Sequence, residues 1–184
     1  MKKHINLSSD IRRIRIVVFS TLIFVLKIHM AFGQNTIPCD QTYFNDSLLQ
    51  KLTGVWTASG EVHGEKVYYQ FKNEWILNHQ FLDMSFQDKA DNPVYTAKVL
   101  FGYDCIKNKY VVHWNDNFGG RFSETVGYGD KKDQSIEMLF DYPEGQLKNT
   151  FTYNKKEDSW NSHTVIKVNE QWIPFGDIYL THSK

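Results

Sequence analysis

The sequence predicts an all-β protein: a single antiparallel, up-and-down β-barrel of about ten strands, preceded by a short N-terminal helical turn. Three observations point there. Apolar and polar residues alternate with a period of two through most of the chain after residue 54, the pattern of half-buried strands. Turn-forming clusters recur at short intervals. No stretch holds a 3.6-residue period long enough for a long helix.

Taken in order, Asp46 to Leu52 (DSLLQKL) reads as the helical turn, with Asp46 or Ser47 as its N-cap. Between Val55 and Val62, residues Trp56, Ala58, Gly60 and Val62 share one face. Val67, Tyr69, Phe71, Asn73, Trp75 and Leu77 make the next stripe, then Tyr95 to Tyr103, then Tyr110, Val112 and Trp114. Ile136 to Tyr142 and Leu147 to Tyr153 alternate in the same way. Further strands are expected near 79–87, 121–129, 158–168 and 171–181. Turns fall at His63-Gly64, Asp91-Asn92-Pro93, Lys107-Asn108, Gly119-Gly120, Asp130 to Asp133, Pro143-Glu144-Gly145 and Glu157-Asp158. Pro174 and Gly176 should put a bulge or an edge in the last strand.

Strands joined by such short connections pair with their sequence neighbours. An up-and-down sheet of ten leaves two free edges, and closure removes both. A sandwich would share the pattern.

The first 33 residues differ from the rest. Lys2, Lys3, Arg12, Arg13 and Arg15 are followed by an uncharged apolar run, Ile16 to Leu26, and by Ala31-Phe32-Gly33. Basic head, short apolar middle and small-x-small exit make a secretory signal peptide. A run of 11 residues is short of the ~20 that a membrane-spanning helix needs. The expected organisation is a signal peptide at 1–33, a flexible polar arm at 34–45 and a barrel domain at 46–184, in a secreted or periplasmic protein.

The remainder carries 15 basic and 20 acidic side chains, with Arg121 as its one arginine. A mildly acidic domain without a basic stripe is a poor fit to nucleic acid or to an anionic membrane surface, which need clustered Lys and Arg. Cys39 and Cys105 are an even pair in an oxidising compartment, either a disulfide or two separate thiols.

One set of motifs goes beyond pattern. Leu52-Thr53-Gly54-Val55-Trp56 follows the helical turn and opens the first strand. Trp75-Ile76-Leu77 through Phe81-Leu82, Gly102-Tyr103-Asp104 and Tyr110-Val111-Val112-His113-Trp114-Asn115-Asp116-Asn117 follow. Asp141-Tyr142-Pro143-x-Gly145, Asn149-Thr150-Phe151-Thr152-Tyr153 and Trp160 complete the set. In this order they resemble a lipocalin-like family, within the calycin superfamily, of bacterial exported proteins of unknown function. The resemblance covers nearly all of residues 48–184. It implies a barrel whose Trp56 plugs the closed end, and no established activity. The opening segment is also distantly similar to the haem-binding nitrobindin barrels, through Gly54, Trp56 and Gly60, with Ala58 where those have a middle glycine. Those barrels hold iron with a last-strand histidine followed by an arginine-bearing terminus. Here His182 stands three residues from the end with no arginine beside it, so no haem and no other cofactor is expected.

Chemistry-bearing residues are scattered. His63, His79, His113, His163 and His182 show no zinc-like spacing. No Gly-x-Ser-x-Gly elbow occurs. Asp83, Asp116, Glu124 and Asp141 could form carboxylate pairs across strands. The strongest signal is aromatic: 25 Phe, Tyr and Trp residues follow residue 33. With Trp56 inward, the expected ligand-contacting set is Trp56, Tyr69, Asn73, Trp75, Phe101, Tyr110, Trp114, Phe140, Asn149 and Tyr153. Arg121 joins it as a carboxylate clamp, or as a lid on Trp56, if it faces inward. Apolar walls with a few polar groups are what a small-ligand pocket needs, and packed core is the competing use of the same residues. The reading is a carrier of a small hydrophobic or aromatic molecule. A calycin-type isomerase or hydrolase and a protein-binding inhibitor barrel are the alternatives.

Overall fold

Ten strands close into one antiparallel barrel in chain order. The structure, a computed structural model, describes residues 43–123 and 125–183. The expected signal peptide, the arm up to residue 42, Cys39 and Glu124 lie outside the described residues. The strands are β1 (Gly54–Val62), β2 (Glu65–Ile76), β3 (Phe81–Asp88), β4 (Thr96–Asp104), β5 (Lys109–Asp116), β6 (Val126–Lys132), β7 (Ser135–Tyr142), β8 (Gly145–Asn154), β9 (Ser159–Val168) and β10 (Gln171–His182). Each pairs with its neighbour, and β1 pairs with β10 from Trp56–His182 to Val62–Gly176. That last pairing rules out a sandwich and leaves no edge strand.

Short connections follow from backbone chemistry. His63 and Gly64 both take positive φ (52° and 82°), as do Asn169 and Glu170 (49° and 62°). Two-residue hairpins need that geometry to match the strand twist. Between β2 and β3, Leu77, Asn78 and His79 are all left-handed, at φ 50°, 55° and 63°. This corrects the expected stripe: it ends at Trp75, and Leu77 turns out to solvent. The strand expected at 121–129 is also corrected. Gly120–Ser123 is a single helical turn, and β6 starts only at Val126. Paired glycines at 119 and 120 give the chain no reason to stay extended. In β10 the register shifts between Pro174 and Gly176, as the sequence predicts.

The inward stripes form the core. Trp56, Leu82, Met84, Val99, Phe101, Val112, Met138 and Leu180 are fully buried. The two ends of the barrel differ. At one end, where β1 starts and β10 finishes, the 3-10 turn Leu49–Leu52 lies across the opening with Leu49 and Leu52 buried. Asp46 holds it: Oδ1 accepts the N–H groups of Leu48 and Leu49, each at 2.8 Å. Its Oδ2 accepts from the Tyr110 hydroxyl at 2.6 Å and Lys131 Nζ at 3.0 Å. Phe44, expected in the loose arm, is buried in this plug against Trp75, Tyr103 and Tyr110. The opposite end carries the β1–β2, β3–β4, β5–β6, β7–β8 and β9–β10 connections and has no such cover among the described residues.

Candidate functional site

Alternation decides which groups reach the uncovered mouth. On β2, Tyr69 lies nearer the mouth than Phe71 and Asn73. On β3 the corresponding positions are Phe86 and Asp88, paired with Phe71 and Tyr69. Tyr95 precedes β4, Trp114 and Asp116 end β5, and Phe140 and Tyr142 end β7. Their rings form a continuous belt. Centroid distances are 5.5 Å for Tyr69–Phe86, 5.8 Å for Phe86–Tyr95, 5.9 Å for Phe86–Trp114, 6.2 Å for Trp114–Phe140 and 5.9 Å for Phe140–Tyr142. These are the separations at which edge-to-face and offset pairs attract. Tyr95, Trp114 and Tyr142 remain only partly buried although they face inward, because solvent enters through the mouth.

Two carboxylates stand in this belt. Asp116 accepts from the Tyr95 hydroxyl at 3.1 Å and from the Phe118 N–H at 3.0 Å. Trp114 Nε1 donates in turn to the Tyr95 oxygen at 3.3 Å. Asp88 accepts the N–H groups of Val94 and Tyr95, at 3.0 and 2.7 Å, and so fixes the β3–β4 loop at the rim. Burial and the Asp88 charge push the Tyr69 phenol up to about 12. Burial raises Tyr95 and Tyr142 as well, and Asp116 adds to both. The phenols are therefore neutral at physiological pH. The hydroxyls of Tyr69 and Tyr142 make no hydrogen bond among the described residues, which leaves them free to pair with a guest. By strand register, no lysine or arginine faces inward at this end.

The eleven expected contact residues split by level. Tyr69, Trp114 and Phe140 belong to the belt. Trp56, Asn73, Trp75, Phe101, Tyr110 and Tyr153 belong to the plugged half, where most are buried and each polar donor has a structural partner, while the buried Asn73 Oδ1 has none. The Trp56 indole donates to the Leu52 oxygen at 2.9 Å and Asn73 Nδ2 to the same oxygen at 2.7 Å. Trp75 donates to Gln50 at 2.8 Å, and the Tyr153 hydroxyl to Asp158 at 2.7 Å. Asn149 sits at mid-height, with Nδ2 on Ser162 at 2.9 Å and Thr164 at 2.6 Å. Its buried Oδ1 has no partner.

Arg121 is a correction. It stands on the exposed helical turn at the mouth, with its side chain 73% accessible and paired to Glu144. Trp56 is at the far end, so no stacking between them occurs, and a four-residue turn outside the wall cannot aim the guanidinium inward. Alternation alone could find Tyr95 and Tyr142. It missed Asp88 and Asp116 as mouth groups because acids at strand ends read as solvated caps.

The four carboxylates considered for acid–base work do not converge. Asp83 and Asp141 face outward, Asp83 paired with Lys98 at 2.8 Å, and Glu124 is outside the described residues. The histidines are likewise dispersed: His79 stacks between Tyr43 and Trp75, His163 pairs with Asp177, and His182 stacks on Trp56 at 3.7 Å. Among the described residues no three His, Cys, Asp or Glu side chains group as a metal site. Cys105 is disulfide-bonded. A concavity of about 700 Å³ lies along β1–β5, with Gln70, Lys72, Gln87, Lys98 and Asn115 in its lining. Phe71, Phe86, Ala97 and Asp116 also line it, so it borders two residues of the belt.

A family model described as a protein of unknown function (DUF1579) matches residues 45–173, from the capped 3-10 turn into β10. No curated protein matches the chain.

Proposed function

We propose that this chain, which belongs to the DUF1579 family of proteins of unknown function, is an exported binding protein that takes a small apolar or aromatic molecule at the open mouth of its barrel. One observation carries the reading: the barrel is plugged and filled at one end, while at the other three rings of the aromatic belt, Tyr95, Trp114 and Tyr142, stay partly open to solvent above the buried Tyr69, Phe86 and Phe140. Covering such rings gains about 25 cal/mol per Å² of apolar surface. The unpaired Tyr69 and Tyr142 hydroxyls supply the few polar contacts that orient a guest. The guest is held at the mouth, above Phe101 and Val99, and does not reach Trp56. Export rests on the amino-terminal pattern, and its check is an exported species beginning at Gln34.

Native mass spectrometry of the protein from its own compartment tests the carrier reading. A co-purifying small mass, lost in Trp114→Ala, is the expected result. Truncating one aromatic anchor should weaken binding about tenfold or more, in the range measured for central contacts. An empty protein, combined with no shift of the Trp114 indole signal by any aromatic fragment, would falsify the reading.

A further inference from the structure

We propose that the molecule taken at this mouth carries a cationic head of the ammonium type, seated against Asp116 between the rings of Tyr95, Trp114 and Tyr142. The inference rests on the small-molecule reading and narrows its chemistry.

Charge and geometry both lead there. Asp88 and Asp116 bring two negative charges to the inner rim, and the inward positions of this end hold no lysine or arginine to offset them. Of the basic residues at this end, Arg121 is paired with Glu144 and Lys167 with Glu170 outside the wall, Lys66 stands opposite Glu61 on the outward register, and Lys89 follows the inward Asp88. Each aromatic face adds partial negative potential, and a cation within about 6 Å of a Trp or Tyr ring centre is attracted to it. Tyr and Trp rings beside a carboxylate are a suitable enclosure for a quaternary or protonated amine. An anionic guest would meet Asp116 and Asp88 with no counter-charge, a penalty that grows as the mouth dries.

Asp116 is held for this task. Its Oδ1 is tied to the Phe118 N–H and its Oδ2 to the Tyr95 hydroxyl. The carboxylate is thus oriented by neutral donors, and its net charge stays uncancelled. A neutral hydrogen-bond donor on the guest would find the Tyr69 and Tyr142 oxygens, but only a cation uses the charge.

The experiment compares three probes of one shape on the full exported chain: benzyltrimethylammonium, neutral neopentylbenzene and phenylmethanesulfonate. Affinities are read by calorimetry, and position by the Trp114 indole resonance. The expected order is cation over neutral by at least tenfold, with the sulfonate weakest. Raising salt from 20 to 200 mM should erode the cation's advantage, since exposed charges are screened. Asp116→Asn keeps an acceptor for the Phe118 N–H and turns Nδ2 as a donor to the Tyr95 oxygen, and should cut the cation-to-neutral ratio at least fivefold. Tyr142→Leu, at a hydroxyl with no protein partner, should weaken the cation without unfolding the barrel. Equal binding of cation and neutral probe at the mouth, or tighter sulfonate, overturns the cationic head and leaves the carrier reading standing. No response of Trp114 to any of the three removes both.

Discussion

Trp56 and Asn73 donate to the same acceptor, the carbonyl oxygen of Leu52, from neighbouring strands. One indole and one amide thereby fasten the last residue of the 3-10 turn into the bottom of the barrel. Sharing an acceptor has an energetic signature. Either donor alone still satisfies the carbonyl, but losing both leaves it buried and unpaired. Trp56→Phe and Asn73→Leu should each cost about 1–2 kcal/mol, and the double variant should exceed their sum by about 1 kcal/mol. Urea unfolding of the four proteins measures the coupling. Simple additivity would mean the plug is held by packing alone.

Asp46 makes the plug sensitive to acid. Burial would raise its carboxyl, but hydrogen bonds from Tyr110, Leu49 N–H and Lys131 outweigh this and hold it below its ordinary value of 3.8. A depressed carboxyl contributes stability that is present above the unfolded value and is lost as pH falls through the lower folded one. Asp46→Ala should therefore cost about 2 kcal/mol at neutral pH. Its deficit should shrink as pH drops below about 4, where the parent protein loses the same interactions. A constant deficit from pH 7 to pH 2 would contradict this account.

The mouth phenols predict the alkaline limb. Tyr69 is pushed up to about 12 by burial and by Asp88. The sign is opposite to that of Asp46: the folded protein keeps the proton longer, so stability is intact below about 10 and declines as pH rises towards 12. Phenolate absorbance should show a fraction of the ten tyrosines ionising late and together with unfolding. Tyr69→Phe should flatten the stability loss above pH 10.

Gly60 marks the closing seam. A Cβ there would run into the Asp177 carbonyl oxygen and the Ile178 backbone of β10. The clash is with main chain, so no rotamer relieves it. Gly60→Ala should cost at least about 2 kcal/mol, as overpacking does. It should also raise amide exchange first along the β1–β10 pairing. Uniform exchange across all ten strands would speak against a local seam.

Cys105 is disulfide-bonded, and the chain has one other cysteine, Cys39. Peptide mapping without reductant should recover the Cys39–Cys105 link. A loop of more than 60 residues constrains the unfolded chain enough to contribute about 3–4 kcal/mol in the chain-entropy model. Reduction should lower the melting temperature by several degrees with the far-ultraviolet β signature retained. A mapped link between two chains would replace this with a dimer.

By itself the sequence determined the strands and their inward faces. Alternation with a period of two assigns each side chain to one face, and turn chemistry sets where the chain reverses. Both are local, so the stripes of Trp56, Tyr69, Phe101, Tyr110, Phe140 and Asn149 could be read before any fold. Only tertiary structure decided the height of each residue along the barrel axis. Height follows from the register of all ten strands around a closed ring and from which end the 3-10 turn blocks, and neither is encoded in any local window. That is why Trp56 and Asn73 became fastenings and Arg121 fell outside the wall. It is also why Tyr95, Asp116 and Tyr142, from three separate segments, meet at one mouth.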